Sequence, residues 1–206
     1  MSKLSLWKTV CFSCAFCALG VIGSPAQTFK TLLNFNGANG ANPLYVTLAQ
    51  GLDGDLYGTT DGGGAHGLGT VFKMTRGGLL IWLHSFDGTD GANPTAGLVL
   101  GTDGNFYGTT SGGGNYTACA VVGCGTVFKI TAGGLLSTLH RFDLTDGLHP
   151  NAALVQGSDG YFYGTTNGLA DCSVSRFCGT VFRISPSGAL KTLHDFFLSG
   201  DGSGTA

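Results

Sequence analysis

Short apolar runs alternate with glycine- and aspartate-rich turns along the chain, and the clearest example spans residues 96–142. Four strand-like runs occur there, at residues 96–101, 105–110, 126–131 and 135–142. Asp103-Gly104 separates the first two runs and Gly133-Gly134 the last two, and such dipeptides supply the positive φ angles of two-residue hairpins. The pattern predicts a meander of four antiparallel β-strands.

The sequence pattern of this meander occurs three times in the chain. YGTT occurs at residues 57–60, 107–110 and 163–166, and GTVF at 69–72, 125–128 and 179–182. A phenylalanine closes each unit, and Phe35, Phe86, Phe142 and Phe196 are separated by 51, 56 and 54 residues. Periods of this size indicate solenoids, propellers or arrays. Four antiparallel strands per repeat are typical of a β-propeller blade. A β-solenoid is the alternative, although its repeats are usually shorter and lack this meander.

We therefore predict an all-β, propeller-like array of about three four-stranded antiparallel blades, at about residues 42–87, 93–143 and 149–197. Residues 28–35 (TFKTLLNF) resemble the fourth strand of a unit at residues 190–196 (LKTLHDF) and predict an orphan N-terminal fourth strand. Propellers typically have four to eight blades. The prediction is thus an incomplete propeller: truncated, unusually short, or assembled with other copies.

The N-terminus has the pattern of a secretory signal peptide. A basic start precedes an apolar run at residues 9–23, and Ser24-Pro25-Ala26 supplies small residues for cleavage. The run is too short for a good membrane span. We predict a signal peptide at residues 1–26 and a repeat domain at residues 27–206, with secretion or cell-surface location and no membrane span after processing.

Composition agrees with an all-β chain rich in turns. All twelve acidic residues are Asp, which favours turns, and no Glu, which favours helices, occurs. The 37 glycines punctuate a folded chain, because 43% of residues are apolar and only 11% are charged. Ten basic residues, with no basic run, leave no electrostatic footprint for nucleic acid.

The pattern DG-x-x-YGTT-x-GGG…GTVFK, followed by a GG turn, resembles the Gloeo/Verruco, or GloVer, repeat found in tandem in exported bacterial proteins. The resemblance covers nearly all of residues 28–197 and three full copies. It implies an exported repeat protein, often tethered by a C-terminal anchor, with no established activity. No anchor segment is seen up to Ala206, which departs from that plan.

Strand order predicts two faces with different loops. The first-to-second and third-to-fourth strand connections are tight DG and GG turns on one face. The second-to-third and fourth-to-first connections lie on the other, here called the long-loop face. From YGTT to GTVF the step is 12, 18 and 16 residues in successive units. Variable loops on a fixed scaffold are where binding usually resides.

The two longer loops contain four cysteines, Cys119 with Cys124 and Cys172 with Cys178, and the first unit has none. An even number of cysteines in an exported chain predicts two local disulfides. The alternative is a four-thiolate zinc site across adjacent blades. We favour the disulfides because the spacings are wider than zinc sites usually have and the compartment is oxidising.

Aspartates recur in the connections that follow the closing phenylalanines. Asp87 and Asp90 correspond to Asp143 and Asp146, and to Asn36 and Asn39 before the first blade. Carboxylate and amide oxygens suit calcium, so the four aspartates are calcium candidates. Asx turns that satisfy local backbone groups are the favoured alternative, because no bidentate Glu completes a calcium site.

The sequence contains few features typical of a catalytic site. The recurring His84, His140 and His194 fall on the predicted outermost strand, where they should not converge, so we assign them a structural role. No GxSxG or HExxH motif occurs. We predict no catalytic residues, no bound metal and no cofactor.

These observations favour an exported, non-catalytic repeat protein that acts in binding or surface structure through its long-loop face. Tyr116 and Phe177 break the repeat symmetry there and are the candidate ligand contacts. Aromatic side chains beside Asp suit carbohydrate or another surface polymer, and self-assembly is a further possibility. The alternatives are a polysaccharide-acting propeller enzyme, a lyase or hydrolase, and a truncated fragment without independent function.

Overall fold

The computed structural model describes residues 29–44, 46–168 and 179–196 of the 206. It divides into two compact units, Met1–Leu32 and Leu33–Ala206. In the first, residues 29–32 are exposed and have no regular secondary structure. The predicted signal peptide lies outside the described residues. Within the described ranges, no helix is long and apolar enough to cross a membrane.

The described part of the second unit contains three four-stranded antiparallel sheets whose strands are hydrogen-bonded in sequence order. The first blade contains β1 (Ala49–Gln50), β2 (Leu56–Thr60), β3 (Thr70–Met74) and β4 (Leu80–Ser85). The second contains β5 (Val99–Leu100), β6 (Phe106–Thr110), β7 (Thr126–Ile130) and β8 (Leu136–Arg141). The third contains β9 (Val155–Gln156), β10 (Phe162–Thr165), β11 (Gly179–Ile184) and β12 (Leu190–Phe196). The prediction of an all-β, propeller-like array of four-stranded antiparallel blades is confirmed.

The first strand of the second blade is shorter than the sequence pattern predicts. We expected residues 96–101 to form it in the second blade, but only Val99 and Leu100 pair with β6. Leu98, just before them, is buried in the core between blades. The apolar run is therefore longer than the strand because part of it packs against the neighbouring blade.

The glycine of YGTT is required by the phenylalanine of GTVF. Gly108 of β6 lies directly opposite Phe128 of β7. A Cβ atom at Gly108 would stand 2.5 Å from the Phe128 ring, far inside van der Waals contact. The Phe128 ring thus occupies the space that the side chain of any residue other than glycine would need at position 108.

Consecutive blades pack face to face through two apolar cores. Each blade has a front face toward the preceding blade and a rear face toward the following one. The first core joins the rear of the first blade (Tyr57, Val71, Phe86) to the front of the second (Leu98, Phe106, Phe128, Ile130). The second joins Tyr107, Val127 and Phe142 to Leu154, Phe162, Phe182 and Ile184. Tyr57 stacks on Phe106 with ring centroids 4.0 Å apart, and Tyr107 on Phe162 at 3.8 Å.

The closing phenylalanines complete these cores. Phe86 meets Phe128 edge to face at 5.3 Å, and Phe142 meets Phe182 at 5.2 Å. We predicted an orphan fourth strand at residues 28–35, but its described part, residues 29–35, has no regular secondary structure. Phe35 nevertheless packs against Phe72 at 5.3 Å, in the arrangement of the later closing phenylalanines.

Candidate functional site

The antiparallel order of the strands brings the long connections to one edge of the blades. The β2–β3 and β6–β7 loops lie at this edge together with the closing loops that follow β4 and β8. The tight turns lie at the opposite edge. Residues 169–178, most of the β10–β11 loop, are outside the described residues, and so are Cys172, Cys178 and Phe177.

Asp87 and Asp90 fold the first closing loop into a pair of reciprocal turns. Asp87 Oδ1 accepts hydrogen bonds from the amide and hydroxyl of Thr89, both at 2.8 Å, and from the Asp90 amide at 3.2 Å. In return, the Asp87 amide donates to Asp90 Oδ1 at 3.1 Å. The Thr89 hydroxyl, assisted by these amides, lowers the pKa of Asp87 to about 2.

The second closing loop repeats this arrangement. Asp143 Oδ1 accepts from the Thr145 amide and hydroxyl at 2.8 and 2.6 Å, and the Asp143 amide donates to Asp146 Oδ1 at 2.9 Å. The Thr145 hydroxyl is the main reason that the pKa of Asp143 is lowered. Local donors thus stabilise the charged form of both aspartates.

Histidines of the fourth strands brace these loops. The Nε2–H of His84 donates to Asp90 Oδ2 at 2.6 Å, and that of His140 donates to Asp146 Oδ2 at 2.6 Å. We predicted a structural role for these histidines but not the aspartate partner. The signal was present, because histidine and aspartate are six residues apart in both units.

The closing loop also joins one blade to the next. The backbone carbonyl of Asp90 accepts hydrogen bonds from the hydroxyls of Thr126 and Thr138 in the second blade, at 3.2 and 3.3 Å. The Asp146 carbonyl accepts from Thr180 at 3.2 Å. The four calcium candidates therefore lie in inter-blade joints, where both carboxylate oxygens of Asp90 and Asp146 are engaged by protein donors. This geometry favours the Asx-turn interpretation.

Within residues 29–44, 46–168 and 179–196, no group of three or more His, Cys, Asp or Glu side chains comes together in a way that could hold a metal ion.

Asn93 and His149 form a second kind of inter-blade contact, which we did not predict from the sequence. Asn93 and His149 adopt positive φ angles of 54° and 53°. The Asn93 amide side chain donates to the carbonyl of Asp61 at 3.0 Å, and His149 Nδ1 donates to that of Ser111 at 2.7 Å. Each residue directly precedes a proline, which marks the two positions as equivalent.

The longest described loop is closed by the predicted disulfide between Cys119 and Cys124, whose Cα atoms are 5.3 Å apart. Asn115 Oδ1 accepts hydrogen bonds from the amides of Thr117 and Ala118 at 3.1 and 3.0 Å. The Gly123 amide donates to the Cys119 carbonyl at 2.9 Å. We call residues 115–124 the Tyr116 loop; its backbone is held at both ends and in the middle.

The Tyr116 loop presents apolar side chains to solvent. Tyr116 is 42% exposed, Val121 88% and Val122 55%. The Tyr116 hydroxyl approaches the closing loop so closely that a Cβ at Gly88 would lie 2.8 Å from it. Tyr116 therefore lies beside the Asp87 turn, as the sequence-based surface requires, whereas the two valines were not singled out.

The opposite, tight-turn face carries a network found in all three blades. Tyr57, Tyr107 and Tyr163 donate to Asp53, Asp103 and Asp159 at 2.6, 2.7 and 2.7 Å. Lys73 pairs with Asp53 at 2.7 Å, and this contact is the main cause that lowers the pKa of Asp53 to about 2. Because the network recurs in every blade, we assign it to turn and strand stability rather than to a site.

The chain matches no curated protein. Among solved structures, it is similar to the PQQ-bound aldose sugar dehydrogenase of Streptomyces coelicolor, with 18% identity, TM-score 0.45 and coverage of 74% of this chain and 47% of that one. A gluconolactonase from Xanthomonas campestris matches with 15% identity, TM-score 0.45 and coverage of 74% and 48%. A Dyadobacter fermentans protein of unknown function matches with 12% identity, TM-score 0.45 and coverage of 73% and 56%. The chain thus spans about half the length of these structures. At this level of similarity they say nothing about its ligand or activity.

One protein family matches the repeats themselves. The model of the Gloeobacter/Verrucomicrobia repeat matches residues 20–168 and, in a second overlapping placement, residues 80–206. Together these matches include the three blades and the loops that form both of their edges. The chain belongs to the Gloeobacter/Verrucomicrobia repeat family.

Proposed function

We propose that this protein is an exported, non-catalytic binding protein whose long-loop face contacts a carbohydrate or another surface polymer. The Tyr116 loop, beside the turn of Asp87 and Asp90, is the centre of that surface.

The observation that carries the proposal is the exposure of Tyr116, Val121 and Val122 on a loop held by a disulfide. Val121 and Val122 are consecutive in the chain, and neighbouring apolar side chains that remain in water mark interaction sites more often than isolated ones do. A loop already fixed in one conformation loses less entropy when it binds. A tyrosine ring joins an apolar face to a polar hydroxyl, which suits the C–H and O–H groups of a sugar.

The state of the aspartates supports binding over polysaccharide cleavage. Glycoside hydrolysis generally needs two carboxyl groups, one of which has a raised pKa and serves as the acid. On the long-loop face the pKa of Asp87 and that of Asp143 are lowered, and both carboxylates are used in turns. The same turn occurs in both closing loops, whereas an active site normally breaks the symmetry of a repeat.

Export rests on two observations. The pattern of residues 1–26 is that of a signal peptide. The Cys119–Cys124 disulfide fits an oxidising compartment. Intact mass of the protein recovered from a secreting bacterial host tests both: we expect loss of residues 1–26, and an unprocessed chain retained in the cytoplasm contradicts export.

A glycan array followed by titration tests the binding function. We expect the purified protein to bind a subset of polysaccharides, and Tyr116→Ala to weaken that binding about tenfold, as for a central aromatic contact. Leu52→Ala is the matched control, because Leu52 is an exposed apolar residue on the tight-turn face. It should leave binding unchanged.

Two results contradict the proposal. One is a folded protein that binds no glycan or polymer on the array, or binds equally well after Tyr116→Ala. The other is release of shortened oligosaccharides or unsaturated products from a bound polysaccharide, which favours the lyase or hydrolase alternative.

A further inference from the structure

The rear face of the third blade is open, although the equivalent faces of the first two blades are covered. Phe86 and Phe142 are fully buried, whereas Phe196 is 45% exposed. Tyr163 and Val181 are also partly exposed, while their counterparts in the first two blades are fully buried. We call Tyr163, Val181 and Phe196 the open rear face.

The front face of the first blade is open in part. Leu48 is 42% exposed, but Leu98 and Leu154 at the equivalent positions are 7% and 3% exposed. Trp82 of β4 lies directly across from Phe72 of β3 and is 53% exposed. We call Leu48, Phe72 and Trp82 the open front face; its exposed members are Leu48 and Trp82, whereas Phe72 is 3% exposed and lies against Phe35.

These two open faces are the two halves of an interface that already occurs twice in the chain. At each junction a rear face with tyrosine, valine and the closing phenylalanine packs on a front face with leucine and phenylalanine. A third rear face and a third front face therefore lie at opposite ends of the array, each without a full partner among the described residues. The established interface continues naturally if the rear face of one copy meets the front face of another.

Phe35 occupies part of the open front face. Its ring lies 5.3 Å from that of Phe72, which is the place Phe86 has on Phe128. In a third junction of the same kind, Phe196 of a second copy would need that position. Phe35 is thus a local cap that a second copy must displace.

We propose that two copies of this chain pack head to tail, with the open rear face of each on the open front face of the other. Phe196 of one copy then replaces Phe35 of its partner against Phe72. Two copies that each contribute the three described blades would form a ring of six blades, within the usual range of four to eight. A head-to-tail interface that closes in this way gives a finite ring rather than a fibre. This inference is independent of the proposed carbohydrate binding.

Mass in solution tests the ring. Sedimentation velocity or light scattering on the processed protein at about 1 to 100 µM should give a species with the mass of two chains. Phe196→Asp and Leu48→Asp should each convert it to a monomer, because each places a charge in one half of the interface. Leu135→Asp is the matched control, since Leu135 is highly exposed on a β7–β8 turn outside both open faces.

Removing the Phe35 cap provides a second test, because it should strengthen the dimer only if Phe196 of the other copy takes its place. Phe35→Ala removes the competitor for the Phe72 site, so the Kd of the dimer should fall about tenfold. Circular dichroism confirms that each variant keeps the β-sheet spectrum. If Phe35→Ala proves unfolded, the masses of the Phe196→Asp and Leu48→Asp variants still decide whether the head-to-tail dimer forms.

Four outcomes overturn the inference. The first is that both the native protein and Phe35→Ala remain monomers up to 100 µM. The second is a dimer that survives Phe196→Asp and Leu48→Asp. The third is a dimer lost with Phe196→Asp but not with Leu48→Asp, which indicates a rear-to-rear contact. The fourth is a series of larger species, which indicates an open chain of copies.

Discussion

Replacing Phe142 with alanine measures how much one closing phenylalanine contributes to the packing of consecutive blades. The ring is fully buried and meets the Phe182 ring edge to face at 5.2 Å. Truncating a buried phenylalanine generally costs about 3–5 kcal/mol of the free energy of unfolding. We expect a loss in this range, which is a large part of the roughly 5–15 kcal/mol available to a domain.

The assay is equilibrium unfolding in urea under conditions that keep the disulfide oxidised. Phe196→Ala is the matched control at the equivalent position, measured at a dilution where the chain is monomeric. Because Phe196 is 45% exposed, its truncation should cost only about 1–2 kcal/mol. Equal losses for the two variants, or a loss below about 1 kcal/mol for Phe142→Ala, would refute the idea that closing phenylalanines bind the blades together.

Three further predictions concern the strands, the Tyr116 loop and the closing loop. Gly108→Ala should lower the free energy of unfolding by about 1–3 kcal/mol, because the new methyl group meets the Phe128 ring; an unchanged urea midpoint contradicts this. Replacing Cys119 and Cys124 with serine should cost about 2 kcal/mol and speed proteolytic cleavage within the loop, and equal cleavage rates would show that the disulfide does not order it. The pKa of Asp87 is about 2 in the folded chain and 3.8 for an unperturbed Asp, so the stability that its ionised form contributes is present above pH 4 and is lost as the pH falls toward 2. Asp87→Asn should flatten that part of the stability profile, and an unaltered acid dependence would rule out this contribution.

The arrangement of strands in each blade could be predicted from the sequence because the chain contains an internal repeat. YGTT and GTVF recur in every unit and form the second and third strands of each blade. Their glycine, threonine and phenylalanine residues meet across the β2–β3 pair and its equivalents. The threonines form buried hydroxyl pairs, such as Thr110 with Thr126 at 2.8 Å, so their recurrence reflects packing rather than chemistry. The limits of the first strands were not predictable, since apolar character alone does not distinguish a paired residue from one buried between blades.

The long-loop face was predicted only in outline. Tyr116 lies where the sequence placed it, because a variable loop follows the second strand of every blade. The bond from His84 to Asp90 and that from His149 to Ser111 were not predicted. Such bonds depend on how a closing loop turns back onto a neighbouring strand or blade, and periodicity has no information about that path. Comparing equivalent positions in the units would have paired the histidines with the aspartates.

Footprinting with the bound ligand is the decisive test of binding through the long-loop face. The protein is labelled with hydroxyl radicals in the presence and absence of a polysaccharide selected on the glycan array. We expect protection of Tyr116, Val121 and Val122 and of the adjacent closing loop at residues 86–92, with no change at the tight turn of residues 51–55. Protection confined to the tight-turn face, or spread evenly over the blades, would contradict binding through the long-loop face.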